Sequence, residues 1–214
     1  VGIPSLLMDI VPTELLPEEA KRGLTMQSLE VRNRVTRNLF ERAKKLSPAP
    51  LFVPEAASLV RIGNVEDNMA EIKDADWIIE AILERMDLKL AIHAKIAANA
   101  RPDALVTTNT SGLSIAGMTK GLPLEYRRRF FGTHFFNPPR YLRLFEVIPT
   151  PKTKPEMVDF FMQYGDIHLG KQTVLCKDTP AFIGNRVGVY AMAKIYQLTT
   201  ELGLRIEDVD VLTG

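Results

Sequence analysis

The sequence contains little cysteine and little histidine, and this scarcity excludes two common kinds of site. Its single cysteine among 214 residues is Cys176, so the chain forms no internal disulfide and no cysteine-rich metal centre. The three histidines are His93, His134 and His168. With so few imidazole and thiolate groups, we expect no metal site.

The sequence also lacks an excess of one charge and lacks long apolar runs. Lys+Arg 27 against Asp+Glu 26 leaves a net charge of +1, which argues against a nucleic-acid or membrane-surface partner. No apolar run is long enough for a transmembrane helix, which needs about 18 residues or more. The hydrophobic content of 46% and charged content of 25% are typical of a globular protein, and we expect a cytoplasmic location.

The first residues, Val1-Gly2-Ile3-Pro4, contain neither a starting methionine nor a basic region. We therefore expect the sequence to begin inside a longer protein.

Segments typical of strands and helices alternate along the first 178 residues. Apolar runs predict strands at 5–10, 58–62, 76–82, 105–109, 130–136, 143–149 and 173–176. Helical spacing predicts helices over about 31–46, 87–98, 154–164 and 180–202. This alternation predicts an α/β fold with a mostly parallel sheet covered on both faces. The helix-only pattern from residue 179 predicts the start of a second domain.

Polar residues follow several of the predicted strands, where ligands of open parallel sheets bind. They are Asp9, Glu80, Glu84, Asn109, Thr110, Ser111, His134 and Asn137. A carboxylate such as Asp9 can accept hydrogen bonds from the ribose diol of NAD. It can equally cap a turn or helix, and no glycine-rich phosphate loop precedes it in this sequence.

His134 and Glu146 are the clearest candidates for proton transfer. Glu146 lies twelve residues after His134, across the Asn137-Pro138-Pro139 turn, on the next predicted strand. A carboxylate bound to one imidazole nitrogen leaves the other nitrogen free to take a proton, as oxidation of an alcohol requires. A structural histidine bonded to a neighbouring acid fits the same spacing.

Four blocks of sequence resemble the L-3-hydroxyacyl-CoA dehydrogenase family. They are Thr108-Asn109-Thr110-Ser111, His134-Phe135-Phe136-Asn137-Pro138 with Glu146, Cys176-Lys177-Asp178-Thr179-Pro180-Ala181-Phe182-Ile183-Gly184-Asn185-Arg186, and Ile79-Glu80-Ala81-Ile82-Leu83-Glu84 with Lys89. The variant Arg140-Tyr141 is most similar to the bacterial multidomain β-oxidation type, in which an enoyl-CoA hydratase module shares the polypeptide.

The resemblance implies a Rossmann-like, doubly wound fold and the NAD-dependent oxidation of L-3-hydroxyacyl-CoA to 3-ketoacyl-CoA. His134 would be the general base and Glu146 its orienting partner. Ser111 and Asn185 would hydrogen-bond the substrate around its reacting oxygen and thioester.

The resemblance also implies NAD as the cofactor. Its expected contacts are Asp9 at the adenosine ribose, Asn137 at the nicotinamide side, and Glu84, Lys89 and Ser111 near the cofactor.

The basic segment 29–46 is similar to a family insertion over the CoA end of the substrate. Residues 17–46 contain eight basic and four acidic residues. We expect one or two of these side chains to contact CoA phosphates: Arg34, Arg37, Lys44 and Lys45. A solvated helix face explains any one of them as well.

Compared with the family, we expect two parts to lie outside this sequence: the first strand with its Gly-x-Gly-x-x-Gly turn, and most of the helical domain. The expected organisation is an NAD-binding domain at 1–178, with a helical insertion at about 13–47, followed by the beginning of the helical domain at 179–214. Without the two parts that lie outside this sequence, the isolated chain is expected to be poorly active. The full protein is expected to form a homo-oligomer or a β-oxidation complex.

Three alternatives stay open. A 3-hydroxybutyryl-CoA dehydrogenase or a sugar-acid dehydrogenase shares much of the pattern. A non-catalytic module that binds acyl-CoA or assembles partner subunits is the alternative outside the enzymes.

Overall fold

The computed structural model describes residues 2–214, so Val1 lies outside the described residues. The strands are β1 (Ser5–Asp9), β2 (Val60–Asn64), β3 (Trp77–Glu80), β4 (Leu105–Thr108), β5 (Phe130–Phe135), β6 (Leu144–Pro149) and β7 (Gln172–Leu175). The helices are α1 (Pro17–Lys21), α2 (Leu29–Arg32), α3 (Arg34–Lys44), α4 (Met86–Asn99), α5 (Ile115–Met118), α6 (Leu124–Arg128), α7 (Pro155–Ile167), α8 (Gly184–Glu201) and α9 (Ile206–Thr213). Short 3₁₀ helices cover Pro54–Leu59 and Met69–Asp74.

The strands form two sheets. Strands β1 and β2 pair in parallel, and a second sheet has the order β3-β4-β5-β6-β7. Within the second sheet only β5 and β6 are antiparallel, because the short turn between them reverses the chain. The predicted α/β fold with a mostly parallel sheet is therefore confirmed, while the division into two sheets is a feature that the local sequence pattern does not indicate.

The predicted helix over 31–46 is wrong in detail, since two helices meet at Asn33. The Asn33 side chain accepts a hydrogen bond from Asn64 Nδ2 at 2.8 Å, which fastens the junction to the end of β2. Helix α3 ends at Lys44, shortly before Pro48 and Pro50. A buried hydrogen bond of 2.8 Å from Thr36 to the Gly63 carbonyl holds α3 against β2.

The predicted helix over 180–202 starts later than expected, at Gly184. Residues Ala181 and Phe182 have φ angles of 60° and 47°, so the chain makes a left-handed turn before the helix begins. A further helix, α9, begins at Ile206.

Strand β5 separates two parts of the core. Phe130 packs with Ile148 on one face, while Phe131 packs with Phe145 and Val147 on the other, against α7. Side chains two positions apart share a face, so His134 and Glu146 lie on the face of Phe130 and Ile148. Within residues 2–214, no helix has the length and apolar character needed to cross a membrane.

Candidate active site

The antiparallel pairing of β5 and β6 places His134 directly opposite Glu146. His134 Nδ1 lies 2.7 Å from Glu146 Oε2, and both side chains are buried. Directly paired residues on one face of an antiparallel sheet have neighbouring Cβ atoms, so the register alone brings imidazole and carboxylate together. The predicted spatial pairing of the two residues is therefore present.

Glu146 has a second set of partners at the start of α8. Its Oε1 accepts hydrogen bonds from the backbone amides of Ile183, at 3.0 Å, and Gly184, at 2.7 Å. Burial by itself raises the pKa of Glu146, but the hydrogen bonds from His134, Gly184 and Ile183 outweigh burial and lower this pKa below its usual range. The pair therefore contains an ionised carboxylate in a buried position.

Aromatic rings enclose the His134 imidazole. The ring of Phe136 lies 4.5 Å from it and the ring of Phe182 lies 5.7 Å from it, measured between centroids. No residue from 2 to 214 hydrogen-bonds Nε2, so this nitrogen is left for a ligand. Nearby, burial raises the pKa of the Cys176 thiol to about 12, so this buried cysteine stays a protonated, unreactive thiol at neutral pH.

The loop after β4 carries Ser111 and is held by Glu84. Glu84 Oε1 accepts hydrogen bonds from the Thr110 hydroxyl and from the amides of Ser111, at 3.0 Å, and Gly112, at 3.2 Å. Burial raises the pKa of Glu84, but the hydrogen bonds from Thr110 and Ser111 and the positive charge of Lys89 outweigh burial and lower this pKa below its usual range. Asn109 Oδ1 accepts from the Phe135 amide at 2.9 Å and ties this loop to the end of β5.

Lys89 does not reach the surface. Its side chain is fully buried, and Nζ donates to Glu80 Oε1 at 2.8 Å and lies 3.6 Å from Glu84 Oε2. Beside it, His93 Nε2 lies 3.4 Å from Glu80 Oε2. Direct contact between Lys89 and a cofactor stays a prediction that this burial does not favour, since the ammonium is already surrounded by protein.

Asp9 lies at the carboxyl end of β1, in the other sheet. Its Oδ1 accepts from the Ile10 amide at 2.7 Å, while Oδ2 has no hydrogen-bond partner within residues 2–214. A free carboxylate oxygen at a strand end suits the hydroxyl groups of a ribose.

Two further candidate residues are asparagines. Asn137 is exposed just after β5, and Asn185 lies in the first turn of α8, next to Gly184.

The family model described as "3-hydroxyacyl-CoA dehydrogenase, NAD binding domain" matches residues 17–179. The chain belongs to this family. Its cofactor class is therefore NAD, and the fold expected for the family is the one found.

Curated relatives agree with this assignment. The chain is 42% identical over 214 residues to "Probable 3-hydroxyacyl-CoA dehydrogenase" of Bacillus subtilis, covering 100% of this chain and 27% of that protein. It is 37% identical over 160 residues to "Putative fatty acid oxidation complex trifunctional enzyme" of Rickettsia felis, covering 75% of this chain and 22% of that protein. The chain thus spans about a quarter of the length of these two relatives.

A solved structure shares the fold. The 3-hydroxybutyryl-CoA dehydrogenase of Escherichia coli K12 superposes with a TM-score of 0.66 at 30% identity, covering 81% of this chain and 36% of that chain.

The four basic residues expected at CoA phosphates have different surroundings in this family member. Arg34 binds Glu19 and the Glu14 carbonyl, and Arg37 donates to the Glu30 carbonyl at 3.3 Å. Lys44 pairs with Glu41 at 2.7 Å and lines a cavity of about 230 Å³ with Phe52 and Arg140. Lys45 is exposed and forms no ion pair with the residues that the structure describes.

Two groups in the site escape prediction from the sequence. The amides of Ile183 and Gly184 carry no side-chain signal, although they complete the environment of Glu146. Asp178 binds the start of α5, more than sixty residues earlier in the chain, and only its place in a family-like block singles it out. In the described part of the chain, no cluster of His, Cys, Asp and Glu forms a metal-binding group.

Proposed function

We propose that this chain is the NAD-binding and catalytic part of an enzyme that oxidises L-3-hydroxyacyl-CoA to 3-ketoacyl-CoA. The observation that carries the proposal is the buried contact of 2.7 Å between His134 Nδ1 and Glu146 Oε2, in a chain of this family. The hydroxyl of such a substrate must lose a proton as its carbon loses hydride.

His134 acts as the general base. Because the ionised Glu146 accepts the Nδ1 proton, the neutral imidazole holds its lone pair on Nε2, which takes the substrate's hydroxyl proton. The negative charge of the nearby Glu146 carboxylate stabilises the imidazolium that forms in this step. The surrounding rings of Phe136 and Phe182 keep water away from the pair.

The cofactor is held at the carboxyl ends of the strands. Bound NAD supplies the hydride acceptor. Asp9 binds the adenosine ribose through its free carboxylate oxygen, and Asn137 binds near the nicotinamide. Glu84 shapes the Ser111 loop, and Lys89 contributes through its contact with Glu84.

Ser111, in the loop after β4, and Asn185, in the first turn of α8, hold the substrate for His134. Among the basic residues, Lys45 and Lys44 are the best placed for CoA phosphates, since Lys45 is unpaired within residues 2–214 and Lys44 lines a cavity. Arg34 and Arg37 are occupied by acceptors of the insertion itself, which argues for a structural role.

The proposed organisation is an NAD-binding domain at 1–178 and the beginning of a helical domain at 179–214; the family match to residues 17–179 supports this division. The relative named as a trifunctional enzyme supports a multidomain β-oxidation protein. A homo-oligomeric state and a cytoplasmic location stay predictions.

A substrate panel tests this function in the full protein that contains the chain. NADH formation is measured with L-3-hydroxyacyl-CoA thioesters of increasing acyl length and with a sugar acid. We expect turnover with the thioesters and none with the sugar acid. A kcat/KM confined to the four-carbon thioester would favour a 3-hydroxybutyryl-CoA dehydrogenase, and oxidation of the sugar acid alone would contradict the proposal.

A further inference from the structure

The segment 178–184 connects β7 to α8 and contacts two parts of the candidate site. We propose that Asp178 is a positioning residue for the His134–Glu146 pair, because it anchors the segment that presents two backbone amides to Glu146. This inference rests on the proposed function, since it adds a residue to the same site.

Asp178 is tethered to the start of α5 through both carboxylate oxygens. Oδ1 accepts from the Ile115 amide at 2.9 Å, and Oδ2 accepts from the Ala116 amide at 2.9 Å and the Ser114 hydroxyl at 3.2 Å. No cation forms an ion pair with Asp178 among residues 2–214. Its carboxylate therefore serves to join β7 and the following segment to α5, and with it to the loop that carries Ser111.

The segment that follows is strained. Ala181 and Phe182 both have positive φ angles, 60° and 47°, in a region that residues other than glycine rarely adopt. Such backbone persists only where surrounding contacts fix it. One fixed point is Asp178, and the other is the Phe182 side chain, which is 2% exposed and lies against the His134 ring.

The strained turn directs the next two amides at Glu146. Ile183 and Gly184 donate to Oε1 and supply two of the three hydrogen bonds at the Glu146 carboxylate; the third is from His134 on β5. Release of the Asp178 anchor lets the turn relax toward ordinary φ angles and moves these amides away. Glu146 then loses stabilisation of its ionised form, and its pKa rises.

The test compares Asp178→Ala and Asp178→Asn with the matched control Asp166→Ala, all in the full protein. Asp166 likewise accepts from a backbone amide and a hydroxyl, both of Thr173, at 2.9 and 2.7 Å, but it lies on α7 away from the His134–Glu146 pair. The readouts are kcat, the Kd for NADH, the pH profile of kcat/KM, and the titration of Glu146 by ¹³C NMR of labelled glutamate.

For Asp178→Ala we expect kcat to fall about 100-fold, the loss that a small misplacement of catalytic groups produces. Because the ionised form of Glu146 is lost at a higher pH, the acid side of the profile moves to higher pH. The Kd for NADH stays within about twofold of wild type. Asp178→Asn, which keeps one carbonyl acceptor, is intermediate, and Asp166→Ala resembles wild type.

A wild-type kcat and pH profile in Asp178→Ala would overturn the positioning role, as would a loss of kcat without any change in the Glu146 titration. Should Asp178→Ala fail to fold, the same criteria apply to Asp178→Asn. The NMR titration needs no turnover. An inactive wild-type protein whose Glu146 still responds to Asp178 would therefore reject the proposed function and retain the positioning role.

Discussion

At the scale of single residues, Glu146 is held by three hydrogen bonds, one from His134 and two from backbone amides at the start of α8. Each contact favours the ionised carboxylate over the protonated acid. The same contacts fix which nitrogen of His134 carries the proton. The catalytic tautomer therefore depends on the charge and on the acceptor-only character of Glu146.

We predict that Glu146→Gln lowers kcat by about 10³- to 10⁴-fold, the range expected when an imidazole is held in the wrong tautomer. A glutamine whose oxygen still accepts from Gly184 turns its NH₂ group toward His134, which favours the proton on Nε2. Steady-state kinetics with Glu125→Gln as control check this, since Glu125 is an exposed partner of Arg128. Equal kcat in the two variants would contradict the assigned role of Glu146.

The sequence predicts His134 and Glu146 as partners because a short turn separates two strands that each carry one of them. It does not predict the contacts of Asp178, because these connect residues more than sixty positions apart. Lys89 shows a third case. Lysine side chains are usually exposed, and the buried Glu80 carboxylate explains why Lys89 turns inward.

At the scale of secondary-structure elements, a buried ion pair joins the end of β3 to α4. Glu80 accepts from Lys89 Nζ at 2.8 Å, from the Thr108 hydroxyl at 2.6 Å and from the Ile82 amide at 2.7 Å. Burial raises the pKa of Glu80, but His93, Lys89 and Thr108 outweigh burial and lower it to about 2. Both charges are therefore compensated inside the protein.

We predict that Lys89→Met lowers the free energy of unfolding by about 3–5 kcal/mol, because it leaves the Glu80 carboxylate buried without its ammonium partner. The double variant Glu80→Gln/Lys89→Met recovers part of this loss. Denaturant unfolding at neutral pH measures the effect, with Lys95→Met, exposed on the same helix, as the control. A loss no larger than that of the control would show that the pair contributes nothing to stability.

At the scale of the whole molecule, alternating strands and helices predict the α/β class, because runs of buried strand residues and helical spacing are local signals. Strand pairing is not local, and the separation of β1 and β2 from the five-stranded sheet emerges only from the structure. The site depends on this global arrangement. Strand ends, the loop after β4 and the start of α8 all contribute to it, and the family match covers most of these elements.

The most direct measurement is the kcat for NAD-dependent oxidation of L-3-hydroxyacyl-CoA by His134→Gln in the full protein, compared with His168→Gln. His168 is exposed at the end of α7 and makes a matched control. Loss of the general base should lower kcat by about 10²- to 10⁴-fold, with the Kd for NADH unchanged and His168→Gln like wild type. A His134→Gln variant that turns over at the wild-type rate would contradict the assignment of His134 as the base.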